Sequence, residues 1–259
     1  MEFVDSQNND AVILGNIVVR RPRHAEAIAG IYREVATLSR FRQRLSLPTP
    51  QVQVLEIEDE VIALHKRLSG EPLWSVQNLS EQSKERLAFQ LGVFLKSLHE
   101  IETNLLDDLQ LPRIDQNWWL NFLDKAERLV FFKLASTTAE ALRYQIHSHI
   151  EQLPSLPHTL LHGDFGSSNI LSDGRDITGI IDFGSLGWGD PGWDISGLFV
   201  SYGSRFVERI IPVYPAVEHL LQRSPFYQLM FALMEAVFGA EQSDDKAFNL
   251  GLDALKVVA

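Results

Sequence analysis

The 259-residue chain contains no cysteine. That excludes a disulfide framework, thiolate catalysis and cysteine-held metals, and it agrees with a reducing compartment. No apolar run approaches the length of a membrane span. The start, Met1-Glu2-Phe3-Val4-Asp5, lacks the basic-then-apolar pattern of a leader, so the expected location is cytoplasmic, with no membrane partner. Positive charge is scarce: 23 Lys and Arg stand against 34 Asp and Glu, for a net charge of −11. Residues 1–99 are balanced at 12 of each sign, so the whole imbalance, 22 acidic against 11 basic, falls in residues 100–259. Nucleic acid is a poor partner for such a chain. The acidic excess suits either plain solubility or a cationic small molecule. Internal repeats and low-complexity segments are also missing. A hydrophobic fraction of 45% and this length fit one large domain or two lobes around a cleft, as a monomer or homodimer.

What is present centres on two short stretches. Leu160-Leu161 runs into His162-Gly163-Asp164, which reads as a buried strand opening into a tight loop. Asp164 and Asn169 are separated by the interval found between Asp and Asn in the protein-kinase catalytic loop. Ile170-Leu171-Ser172 reads as a strand, Asp173-Gly174 as a turn, and Ile177 to Ile181 as the returning strand before Asp182-Phe183-Gly184. Such a hairpin sets Asn169, at the start of one strand, beside Asp182, at the end of the other. An amide oxygen and a carboxylate are hard ligands suited to Mg2+. Asp164 stands just before them, placed to accept a proton. Taken singly, each of these residues is an ordinary turn, cap or strand end; the combination in an apolar frame is what carries the assignment.

With HGD, Asn169, IDFG and then Gly189-Asp190-Pro191-Gly192-Trp193-Asp194, the chain resembles the aminoglycoside phosphotransferase family over nearly its whole length. The resemblance implies an α+β, bilobal protein-kinase-like fold, with a small, mainly antiparallel β N-lobe carrying one helix and a larger, mainly α C-lobe. It implies Mg2+-dependent transfer of a phosphoryl group from ATP or GTP to a hydroxyl of a small molecule, aminoglycoside-like or otherwise cationic. By the same resemblance Asp164 is the catalytic base, Asn169 and Asp182 hold the metal, and His162 and Asp194 support the catalytic loop. Two further readings remain beside it: a kinase of a metabolic alcohol or macrolide-like compound, and a pseudokinase that binds nucleotide without turnover.

The remaining chain is organised around that centre, as residues 1–68 and 69–259. Ala11–Leu14 and Ile17–Arg20 form a hairpin on Gly15-Asn16, ended by Pro22. The polar stretch before it, with Ser6, Asn8 and Asn9, occupies the place of a phosphate-covering loop but holds no glycine. A helix follows from His24 to Arg44, with Ala27, Ile28, Ile31, Val35 and Leu38 on one face. Kinases pair a strand lysine with a helix glutamate; here the matching positions are Arg20 and Glu34. Arginine is no neutral swap for lysine, and Arg20-Arg21-Pro22-Arg23 resembles the variant seen in macrolide-type kinases. His65, Lys66 and Leu68 mark the expected hinge beside the nucleotide base, and Arg67–Pro72 reads as irregular. Ser80 caps a helix to His99 with Leu87, Leu91, Phe94, Leu95 and Leu98 inward. His99 reads as a helix-terminal residue and His147 and His149 as surface residues; Trp118, Trp119 and Phe122 could stack on a ligand, with core packing the favoured role. Only five residues separate DFG from Asp190, which leaves no room for an activation loop. Among the later acids, Asp190 and Glu235 are the candidates for acceptor binding.

Overall fold

In this computed structural model the described residues are 2–4, 8–58, 60–105 and 107–258. The N-terminal part is one antiparallel sheet. Its strands are β1 (Glu2–Val4), β2 (Asn9–Leu14) and β3 (Ile17–Pro22). Helix α1 (Ala25–Phe41) intervenes before β4 (Gln53–Ile57) and β5 (Glu60–Lys66). The order across the sheet is β1-β2-β3-β5-β4. That places β3 in the middle, with Arg20 in register with the buried Ala63 of β5.

His24 starts α1 by accepting the Ala27 N–H on Nδ1 at 3.2 Å, which supplies one of the acceptors that the first helical turn lacks. The buried face of α1 carries Ala27, Gly30, Ile31, Glu34, Thr37, Leu38 and Phe41. Apolar spacing had Ile28 and Val35 on that face; both are half-buried. Small and polar positions take their place because α1 packs against the turn after Asp182. A Cβ on Gly30 would stand 2.8 Å from the Gly184 carbonyl, so only glycine allows this approach.

Beyond Lys66 the chain changes partners. β6 (Glu71–Pro72) is a two-residue strand inside the stretch expected to be irregular. Then come α2 (Glu81–His99), α3 (Gln116–Leu129), α4 (Ser136–Gln152), β7 (Thr159–Leu161), β8 (Ile170–Ser172), β9 (Ile177–Ile180) and β10 (Gly187–Gly189). The chain continues through α5 (Gly192–Tyr202), α6 (Ser204–Val207), α7 (Val217–Leu220), α8 (Ser224–Gln242) and α9 (Asp245–Val258). β6, β8 and β9 make a small sheet, and β7 pairs with β10. On α2, Leu87, Leu91, Phe94, Leu95 and Leu98 are all buried, as their spacing requires. They pack with Phe165, Ile180 and Phe183, so the core of this part lies directly under the segment that carries Asp164, Asn169 and Asp182. A second apolar cluster joins α3, α4 and α8 through Trp119, Leu142, Tyr227 and Leu233. Among the described residues no helix is long and apolar enough to cross a membrane.

Candidate active site

The β8–β9 hairpin forms where the sequence places it, and Ile181 N–H donates to the Asn169 carbonyl at 2.9 Å. This brings the two ends of the hairpin together and positions Asn169 and Asp182. Asn169 donates from Nδ2 to the Asp164 carboxylate at 2.8 Å and to the Asp164 carbonyl at 2.9 Å. With its nitrogen engaged there, the amide oxygen is the atom it can offer a cation. Asp182 adopts φ +60, a left-handed conformation that a non-glycine residue holds only when its surroundings impose it. An amide oxygen and one carboxylate leave most of an octahedron to phosphate oxygens and water, the usual way magnesium is held beside a nucleotide. The donor set therefore fits Mg2+.

Asp164 is exposed as a residue and follows Gly163, which lines the cleft. The protein mass around its carboxyl raises its pKa above the ordinary value. The neighbouring His162 opposes the shift, and the nearby Asp182 adds to it.

The loop is held from below by Asp194. Its Oδ2 accepts the His162 N–H at 2.8 Å, and its Oδ1 accepts the Gly163 N–H at 3.0 Å. His162 Nε2 meets the Ile181 carbonyl at 3.1 Å, and its Nδ1 meets the Asp164 N–H at 3.3 Å. A carbonyl only accepts and an N–H only donates, so the imidazole proton belongs on Nε2. Gly163 has φ +82, and a Cβ there would collide with the Ser185 carbonyl. That is the physical reason for glycine between His162 and Asp164. One supporting residue is read differently from its sequence context. His99 is buried; its Nε2 meets Asp194 Oδ2 at 3.1 Å, and its Nδ1 meets the Tyr214 hydroxyl at 3.1 Å. Nothing in the sequence links α2 to α5, so this support was not readable there.

The upper wall comes from the sheet and α1. Arg20 and Glu34 form a buried ion pair at 2.5 Å, and the other Arg20 nitrogen lies 3.9 Å from Asp182 Oδ1. Burial raises the Glu34 pKa, opposed by the charge of Arg20. These three residues, with Gly163, line a cleft of about 290 Å³. Its far end is aromatic: Trp118 and Trp193 meet edge to face at 5.8 Å, and Trp193 Nε1 donates to the Gly163 carbonyl at 2.9 Å. Trp119 and Phe122 are core residues as expected, whereas Trp118 is half-buried and faces the cleft. Asn9 is buried and also lines the cleft. Ser6, of the expected phosphate loop, lies outside the described residues.

Several candidates fall elsewhere. Asp190, expected near the acceptor, is buried and fully engaged. Arg223 grips both its oxygens at 2.6 Å, Tyr227 OH donates to it at 2.8 Å, and the Gly192 N–H donates to it at 3.0 Å. It anchors the start of α5 to α8. Glu235 lies half-buried on α8 and does not line the cleft. His65, Lys66 and Leu68 lie at or just past the end of β5; they are not part of the cleft lining, but His65 is near enough to Arg20 and Asp182 to feel both charges. There His65 is buried, with a pKa lowered chiefly by that burial, and Lys66 is exposed. His149 is not a surface residue. It is buried, stacked on Phe226 at 4.1 Å, and burial pushes its pKa down to about 4 against the pull of Asp190.

A model of the phosphotransferase enzyme family matches residues 3–225. The chain belongs to this family, the aminoglycoside phosphotransferases. Viomycin phosphotransferase of Streptomyces vinaceus is 24% identical over 195 residues, 73% of this chain and 68% of that enzyme. The solved GDP and kanamycin complex of APH(2")-IIIa superposes with a TM-score of 0.89 at 20% identity, covering 99% of this chain and 92% of that one. Macrolide 2'-phosphotransferase type I superposes at 0.75 with 18% identity, over 100% and 90% of the two chains. The fold is thus the kinase-like one of the family, an antiparallel β lobe with one helix beside a mainly helical lobe.

Proposed function

We propose that this phosphotransferase moves the γ-phosphoryl group of ATP or GTP to a hydroxyl of a small molecule, with Mg2+ as cofactor. Residues 1–68 act as the nucleotide-binding lobe and residues 69–259 supply catalysis and acceptor binding. The observation that carries the reading is the meeting of Asp164, Asn169 and Asp182 below the buried Arg20–Glu34 pair. Arg20, held straight by Glu34, binds phosphate oxygens. Asn169 and Asp182 would hold Mg2+, which would supply positive charge beside the phosphate oxygens. Asp164 orients the acceptor hydroxyl and takes its proton as the oxygen attacks phosphorus and the nucleoside diphosphate leaves. Asp194, through the N–H groups of His162 and Gly163, keeps the loop in place. Catalysis of this kind is mostly positioning and electrostatics.

Support for the donor comes from relatives solved with GDP, ADP or ATP bound, and for a small-molecule acceptor from relatives named for viomycin, kanamycin and macrolides. The test is Asp164→Asn. It should keep Mg-nucleotide binding and lower kcat by about 10²- to 10⁴-fold, the usual contribution of a positioned base. A variant that keeps wild-type kcat removes Asp164 from the mechanism.

A further inference from the structure

Asp182 keeps its left-handed backbone without the freedom of glycine, so something outside the residue holds it there. The turn that follows it lies against helix α1. A Cβ on Gly30 would stand 2.8 Å from the Gly184 carbonyl oxygen and 3.3 Å from the Gly184 Cα. One helical turn on, Arg33 donates from Nη2 to the same carbonyl at 3.3 Å. Gly184 in turn stands beside the carboxylate: a Cβ there would lie 3.3 Å from Asp182 Oδ1. The next residue of the helix, Glu34, bears on that carboxylate through Arg20, by contacts of 2.5 Å and then 3.9 Å. Two consecutive residues of α1 thus act on Asp182, one through the backbone that follows it and one through the neighbour of its side chain.

Stability is a poor explanation of Arg33. Its side chain is 14% exposed, and its Nε is buried without a partner, which costs free energy. Its ion pair is with Glu26, which is 71% exposed, and such a pair contributes little. Methionine in its place would keep the stem packed and remove the orphaned nitrogen. What the guanidinium adds is a donor aimed at the Gly184 carbonyl. The sequence carried no signal for this, because spacing along α1 does not tell which residue meets a turn 151 positions away.

We propose that Arg33 is a positioning residue for the metal-nucleotide site. By gripping the Gly184 carbonyl it fixes the turn that keeps Asp182 in its strained conformation, and so makes metal holding depend on the seating of α1. Without the grip the turn relaxes toward an ordinary backbone conformation, and the carboxylate leaves the place it shares with Asn169. This rests on the phosphotransferase reading, with Asp182 as a holder of the metal.

The test uses Arg33→Met and Arg33→Lys, with Arg40→Ala as a control on the same helix. Arg40 lies two turns further on and pairs with Asp108 and the Leu105 carbonyl. Calorimetry measures ADP affinity with Mg2+ and, separately, with EDTA. Hydrogen exchange on the unliganded proteins follows residues 181–186. Arg33→Met should weaken Mg-ADP binding about tenfold, as loss of a contact supporting a metal ligand does, and leave metal-free ADP affinity within about twofold. It should speed exchange at 181–186 while the melting temperature stays equal or rises. Arg33→Lys can still donate to the carbonyl and should keep most of the Mg-ADP affinity. Arg40→Ala should match the wild type in Mg-ADP affinity and in exchange at 181–186. Should Arg33→Met not fold, Arg33→Gln, shorter and uncharged, replaces it with the same outcomes expected. Wild-type Mg-ADP affinity in Arg33→Met overturns the proposal. So does equal weakening with and without Mg2+, or the same loss in Arg40→Ala. A lower melting temperature with unchanged exchange at 181–186 also overturns it, in favour of a purely structural role. If Mg2+ does not tighten ADP binding to the wild-type protein, the reading of Asp182 as a metal holder itself fails. Tightening in the wild type that Arg33→Met leaves intact overturns only the role of Arg33.

Discussion

In the proposed mechanism Asp164 acts as a base, in surroundings that disfavour its charged form. Its pKa is raised first by the desolvation of its carboxyl and then by Asp182, with His162 opposing. A base must be ionised to act, so activity is lost as pH falls through the raised value. The acid limb of kcat/KM should lie above the ordinary aspartate value of about 3.9. A limb at or below that value would show that another group titrates. The same shift bears on stability. A carboxyl whose folded pKa is raised makes the folded state less stable once pH exceeds the unfolded pKa, because the ionised form is the disfavoured one. At neutral pH Asp164→Asn should therefore leave the melting temperature equal or higher while activity falls. Asn can still accept the Asn169 Nδ2 hydrogen bond, so the comparison keeps that contact.

Whether Asp164 is in position depends on the elements around it. The catalytic loop is clamped by two backbone N–H groups on one buried carboxylate, Asp194, and that carboxylate is itself held by His99 from α2. Gly163 must keep φ +82 and close contact with Ser185 for the clamp to form. Gly163→Ala should cost about 1–3 kcal/mol from the strained conformation, with more from the collision. It should also lower kcat more than it changes nucleotide affinity, because the loop moves while Arg20 and Glu34 do not. Urea unfolding with parallel kinetics checks both. On the other side, Gly30 lets α1 lie against Gly184, so Glu34 reaches Arg20 across the cleft mouth. The spacing of 14 residues between Arg20 and Glu34 was readable in the sequence, and so was the hairpin that sets Asn169 near Asp182. The inner face of α1 was not, because Glu34 and Thr37 are buried by what lies opposite them and not by their own polarity.

In the proposed function the nucleotide's contacts are divided between the two parts of the chain. Arg20 and Glu34 come from the N-terminal sheet and helix, Asn169 and Asp182 from the hairpin. A bound Mg-nucleotide would link the two parts and stabilise both. At a concentration of 100 Kd the gain is about 2.7 kcal/mol, which for a chain of this size raises Tm by roughly 5–10 °C. Asp182→Asn should cut that shift sharply at the same concentrations. An unchanged shift would place the metal-nucleotide elsewhere.

The order of elements, the hairpin and the residues Asp164, Asn169 and Asp182 follow from local pattern: apolar spacing, turn dipeptides and a short interval between polar residues. These depend on neighbours a few positions away, and one chain carries them in plain view. The fates of His99, His149, Asp190 and Arg33 depend on what packs against them from far along the chain. His99 meets Asp194, Asp190 meets Arg223 and Tyr227, and Arg33 meets Gly184, across separations of 95, 33, 37 and 151 residues. Burial and pairing at such distances come from the assembled core, where the cost of an unpaired buried group selects the partner.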